Sequence, residues 1–99
     1  MIRHIVLWKL ADTAEGNDKW ENARIIKQRL EALVGVIPGL EEAIVGLNFN
    51  GGEYDAALDS RFVNKEALDA YATHPAHVAV KTFVHAVALG RQSIDFFEE

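Results

Sequence analysis

The first ten residues keep a two-residue rhythm. Ile2, Val6, Trp8 and Leu10 fall on one side of an extended chain together with His4, and Ile5 and Leu7 fall on the other. This predicts a β-strand over 2–10 that is apolar on both faces. A turn-prone run, Asp12 to Asn17, follows. From Asp18 the period changes to that of a helix. Trp20, Ala23, Ile26, Leu30, Leu33 and Val34 form one apolar stripe, so a helix is expected over 18–34, with Asp18 as its cap and Glu21 in the capping-box position. Gly35 suits a left-handed stop, and Pro38-Gly39 prevents continuation. Strands are predicted over 42–47 and 55–62, separated by the turn signal Asn48-Phe49-Asn50-Gly51-Gly52. Asn64 can cap a short helix through Leu68, Tyr71 and Ala72, which His74-Pro75 breaks. Pro75 then opens another helix ending near Leu89, Gly90 stops it, and a last strand is expected over 92–97.

The predicted order is β-α-β-β-α-α-β, an α+β chain of ferredoxin-like type with an antiparallel sheet and a single domain over 1–99. Helices in that topology cover one face of the sheet. Apolar residues on both faces of the first strand, and Phe96 and Phe97 pointing oppositely, leave the second face unaccounted for. Two protomers packed sheet to sheet, as a dimeric α/β barrel, would cover it, so the expected partner is a second copy of the chain.

Composition narrows the function classes. The chain has 10 Lys+Arg against 15 Asp+Glu, a formal charge of −5, which argues against nucleic acid and anionic membrane as partners. Cysteine is absent, which removes disulfides, thiolate metal ligands and cysteine nucleophiles. No apolar run is long enough for a membrane span, and the N-terminus lacks the layout of a signal peptide, so a cytoplasmic protein is expected.

The chemically dense stretch is Tyr71-Ala72-Thr73-His74-Pro75-Ala76-His77-Val78, at a junction between helices. A neutral His77 could serve as a base, and Tyr71 could donate to a developing oxyanion. His4, on the strand face directed at the helices, could join them. A plainer reading stands beside this one: Tyr71 continues a core stripe, His74 caps a helix, and His4 is a core histidine. Pro75 between His74 and His77 disfavours a helical metal pair, and free carbonyls around Val34, Ile37 and Leu40 are no more than any helix end offers. No metal and no cofactor is expected.

Four segments resemble one family: Ile2-Arg3-His4-Ile5-Val6-Leu7-Trp8-Lys9, Val36-Ile37-Pro38-Gly39-Leu40, Val45-Gly46-Leu47-Asn48 and Tyr71-x-x-His74-Pro75-x-His77-Val78. Together they look like the stress-responsive dimeric α/β-barrel (Dabb) family over nearly the whole chain. The resemblance implies a ferredoxin-like protomer and a homodimer joined through its sheet faces. The enzymatic branch resembled is a plant polyketide cyclase that closes its substrate by aldol chemistry without a cofactor. It implies Tyr71 and His77 as the reacting pair, Asp95 as the carboxylate orienting the histidine, and His4 in the same pocket. Val6, Trp8, Ile26, Leu30, Leu58 and Phe62 would form the pocket wall, with Trp8 and Phe62 bulky enough to threaten its volume.

Three functions compete. One is a barrel that binds a small hydrophobic molecule. Another is a cofactor-independent enzyme, cyclase-like or of the monooxygenase or isomerase kind that such barrels also host. The third is a purely structural or stress-protective oligomer.

Overall fold

The computed structural model describes residues 1–99. Its elements are β1 (Ile2–Leu10), β2 (Thr13–Ala14), β3 (Asn17–Asp18), α1 (Lys19–Glu31), β4 (Leu40–Leu47), β5 (Ala56–Phe62), α2 (Lys65–Thr73), α3 (Pro75–Val87) and β6 (Ala88–Phe97). Four strands form one antiparallel sheet in the order β4-β5-β1-β6, and β2 and β3 make a separate small hairpin. This is the ferredoxin-like α+β arrangement that the order of elements predicts. No helix is long and apolar enough to cross a membrane.

Alternation along the strands sorts the sheet into two faces. The inner face presents Ile2, Val6, Trp8 and Leu10 from β1, Val45 from β4, and Ala56, Leu58 and Phe62 from β5, all buried. Against it pack Ala23, Ile26 and Leu30 of α1, Tyr71 of α2, and Val80, Val84 and Val87 of α3. Helix α1 is fastened to the outer strand β4 by more than apolar contact. Lys27 Nζ donates to the Val45 carbonyl at 2.8 Å, and Val45 N–H donates to Glu31 at 2.9 Å. These bonds satisfy backbone groups on a sheet edge that would otherwise be open for pairing.

The opposite face carries Ile5, Leu7, Ile44, Ala57, Ile94 and Phe96 around a charged centre. Arg3 reaches Asp59 at 2.8 Å and Glu98 at 3.2 Å, and Arg61 reaches Glu98 at 3.0 Å. Ile44 is 51% exposed and Ile94 60% exposed, so a contiguous apolar area remains open around those ions.

Several boundaries differ from those read off the sequence. Helix α1 ends at Glu31, because Leu33 and Val34 donate to carbonyls only three residues back and tighten the chain into a turn. Val34 is consequently exposed. Trp20 is exposed as well, since the first turn of α1 packs through Asn22. The Asn22 amide donates to the Ala14 carbonyl at 3.0 Å and accepts from Asn17 at 3.1 Å, tying the hairpin to the helix. Helix α3 ends at Val87, whose carbonyl accepts from Ala11 N–H at 2.9 Å. Pairing with β1 then draws residues 88–91 into β6, so Gly90 lies within the strand opposite Lys9 instead of ending a helix.

Gly39 illustrates how tightly the β4 end meets α2. Its φ is +84°, and a Cβ added there would come within 2.5 Å of Ala67 Cβ. Gly35, at φ +87°, has open space around it. Gly39→Ala is therefore expected to destabilise the fold by more than about 1 kcal/mol, and by more than Gly35→Ala, in urea unfolding at equal protein concentration. Equal losses for the two variants would contradict this packing.

Candidate ligand cavity

A cavity of about 500 Å³ opens between the inner sheet face and helices α2 and α3. Each polar group around it is placed by a local feature of the chain. Asn64 caps α2 by accepting from Ala67 N–H at 2.9 Å, which fixes the helix that carries Tyr71. His74 ends α2 and begins α3, its Nδ1 accepting from Ala76 N–H at 3.1 Å, with Pro75 as the first residue of the new helix. The break turns the chain so that the rings of Tyr71 and His77 stack, with centroids 4.0 Å apart and planes 27° from parallel.

Four rings cluster here. Phe62 meets Tyr71 edge-on at 4.9 Å, and His4 stands edge-on to both, 6.3 Å from Phe62 and 6.2 Å from Tyr71. His4 Nδ1 contacts the Asp95 carboxylate, its direct cross-strand neighbour between β1 and β6. Ser60 Oγ donates to the His4 carbonyl at 2.8 Å and steadies the same strand. Asp95, expected from the family resemblance to orient His77, instead contacts His4, because the β1–β6 register sets the two opposite each other. His77 has a different environment, because its Nδ1 is buried without a side-chain hydrogen-bond partner.

Burial pushes the His77 imidazole below its ordinary 6.5, the backbone of Ala72 and Tyr71 opposes this as hydrogen-bond partner, and the charge of Lys81 acts with the burial. Burial also raises the Tyr71 phenol to about 12, against an opposing pull from Arg91. At neutral pH the pair is therefore an unprotonated imidazole beside a protonated phenol. One can accept a proton and the other can donate a hydrogen bond.

His4, Val6, Trp8, Leu30, Leu58, Tyr71, His77 and Asp95 all line this cavity. Ile26 and Phe62 do not. Both are fully buried, and Phe62 braces Tyr71 from behind instead of occupying the space. Trp8 forms part of the wall without closing it. Asp69, Lys81, Val84, His85, Ala88 and Arg91 also line the cavity, although the sequence reading did not single them out. Their signal was spacing: 81, 84, 85 and 88 continue the helical face of His77, and Arg91 shares the strand parity of Asp95. No group of three or more His, Cys, Asp or Glu side chains is gathered as a metal site would need.

The chain matches the stress responsive A/B barrel domain family, Dabb, over residues 2–98. It belongs to the Dabb family. A dimeric ferredoxin-like protein of unknown function from Bacteroides fragilis has 35% sequence identity and a TM-score of 0.86, over 96% of this chain and 93% of its own. A dimeric ferredoxin-like protein of unknown function from Jannaschia sp. has 26% identity and a TM-score of 0.78, covering 98% of each chain. A protein from Arabidopsis thaliana shares the fold, with 22% identity and a TM-score of 0.83, over 100% of this chain and 96% of its own. No curated protein matches the chain.

In this Dabb chain the lowered His77 pKa has a consequence for stability. The unfolded imidazole titrates near 6.5 and the folded one lower, so between those values the unfolded state binds more protons. His77 thus contributes stability that is present above about pH 6.5 and lost as pH falls toward the folded value. The difference in unfolding free energy between the wild type and His77→Gln is expected to shift against the wild type as pH drops from about 7.5 to about 5. Urea titrations at several pH values measure it, and a difference independent of pH would contradict the burial described.

Proposed function

We propose that the protein is a homodimer whose protomers each bind a small apolar molecule in the cavity between the sheet and helices α2 and α3. The observation that carries this reading is the cavity itself. Its volume of about 500 Å³ falls in the range of small-molecule sites, its wall is largely apolar, and Tyr71, His77 and His4 converge on it. A purely structural role gives no reason for a core to stay open at that size. The dimeric state is supported by the uncovered apolar face around Arg3 and by relatives described as dimeric.

Filling the space tests the binding reading. Ala88→Trp adds a large ring to the cavity wall, and it is expected to weaken binding of acetophenone at least tenfold by calorimetric titration while the fold is retained. Undiminished binding by that variant would place the ligand elsewhere. For the assembly, static light scattering is expected to return twice the mass of one chain, and Ile94→Lys, which sets a charge in the exposed apolar face, to shift it toward the monomer. A wild-type chain that is monomeric at tens of micromolar would contradict the homodimer.

A second reading is favoured by the paired protonation states of Tyr71 and His77. In it the pocket performs proton transfer at a carbon next to a carbonyl, without a cofactor, as in an aldol ring closure. The His77 ring takes the proton, the Tyr71 hydroxyl holds the carbonyl oxygen as charge develops there, and the enolate carbon attacks a second carbonyl whose oxygen then recovers a proton. The His4–Asp95 contact holds a second imidazole in place beside them. Tyr71→Phe and His77→Ala are each expected to lower turnover of an enolisable diketone at least a hundredfold with melting temperature nearly unchanged. Wild-type turnover no faster than buffer would remove this reading and leave the binding one.

A further inference from the structure

The cavity wall carries two cations that no carboxylate pairs. The protein carries a net charge of −5; Arg3, Lys19, Lys27 and Arg61 are engaged by carboxylates, whereas Lys9, Arg24, Arg29 and Lys65, away from the cavity, are not. Lys81 and Arg91, both on the cavity wall, take part in no ion pair; Arg91 donates only to Ser93 Oγ, at 3.2 Å. They stand on different elements, Lys81 on α3 one turn beyond His77 and Arg91 on β6. Two carboxylates share the wall: Asp95 is turned to His4, and Asp69 stands exposed on α2, two residues before Tyr71. Arg91 acts on Tyr71 and Lys81 on His77, so both cations stand close to the stacked rings. An anionic oxygen above the stack would meet two cations that no carboxylate pairs, together with a phenol able to donate to it.

We propose that the cavity takes a small apolar carboxylate. Its carboxylate sits between Lys81 and Arg91 over the Tyr71–His77 stack, and its hydrophobic body lies against Val6, Leu30 and Leu58. This rests on the reading of the cavity as a ligand site and adds the class of ligand. Lys81 and Arg91 are then the specificity residues: they do not create the apolar pocket, but they select acids from among the molecules that fit it.

The test uses two probes of nearly equal shape, 2-naphthoate and 2-naphthylmethanol, with the full-length protein. Binding is followed by calorimetry, and the site by amide chemical shifts of residues around Tyr71 and Val84. The acid is expected to bind at least tenfold more tightly than the alcohol, a difference of about 1.4 kcal/mol. The preference should weaken as salt rises. In the double variant Lys81→Gln, Arg91→Gln it is expected to fall to within about twofold. Lys81 and Arg91 are exposed, so the variant is expected to fold, and an unchanged melting temperature checks that it does. Alcohol binding as strong as the acid in the wild type would overturn the carboxylate inference while leaving the apolar cavity standing. Acid preference that survives in the double variant would overturn the roles of Lys81 and Arg91. Neither probe shifting the cavity residues would overturn the ligand site itself.

Discussion

The site depends on one interruption in the chain. If residues 65–87 formed a single helix, Tyr71 and His77 would lie about 9 Å apart along the axis and about 120° apart around it, and their rings could not meet. Pro75 cannot donate the backbone bond a continuous helix needs, and His74 adopts an extended conformation that closes α2 and opens α3 at one residue. The kink folds the first turn of α3 back toward the last turn of α2, and the two rings stack at 4.0 Å. The motif Tyr-x-x-His-Pro-x-His is thus first a geometric device. Its outer members become a facing pair because the residues between them stop one helix and start another.

The stack in turn shapes what surrounds it. Phe62 supports Tyr71 from the sheet, so the tyrosine is buried enough to keep its proton far above neutral pH. His77 is buried enough to stay unprotonated, held beside the Tyr71 ring at the start of α3. The sheet divides the labour. Its inner face holds this site, and its outer face, with apolar side chains ringing the Arg3 and Arg61 ion pairs, offers a surface on which a second layer can pack.

Much of the fold was legible in the sequence because its signals are local. Alternation marked the long strands, Asp18 and Asn64 announced their helices by side chains that accept from the third residue on, and Pro75 marked a helix start. What escaped depends on pairing between distant segments. The two-residue strands β2 and β3 are too short to show a period, and only the buried Asn22 reveals why they form. Residues 88–91 look like a helix end until β1 is present to pair with them. The site followed the same division. Tyr71, His77 and His4 could be read from spacing and parity, whereas the partner of Asp95 could not. The register of β6 against β1 sets Asp95 beside His4, and no feature of either strand alone fixes that register. The same holds for Arg91, which reaches the cavity only because β6 begins earlier than its sequence suggests.

The central claim is that the inner cavity, and not the apolar outer face, is where small molecules are received. Intermolecular nuclear Overhauser effects between a small aromatic ketone and the isotope-labelled protein test it most directly. The account predicts contacts from the ketone to protons of Val6, Leu30, Leu58 and the Tyr71 ring. Contacts confined to Ile5, Ile94 and Phe96 would contradict it, since those side chains belong to the opposite side of the sheet.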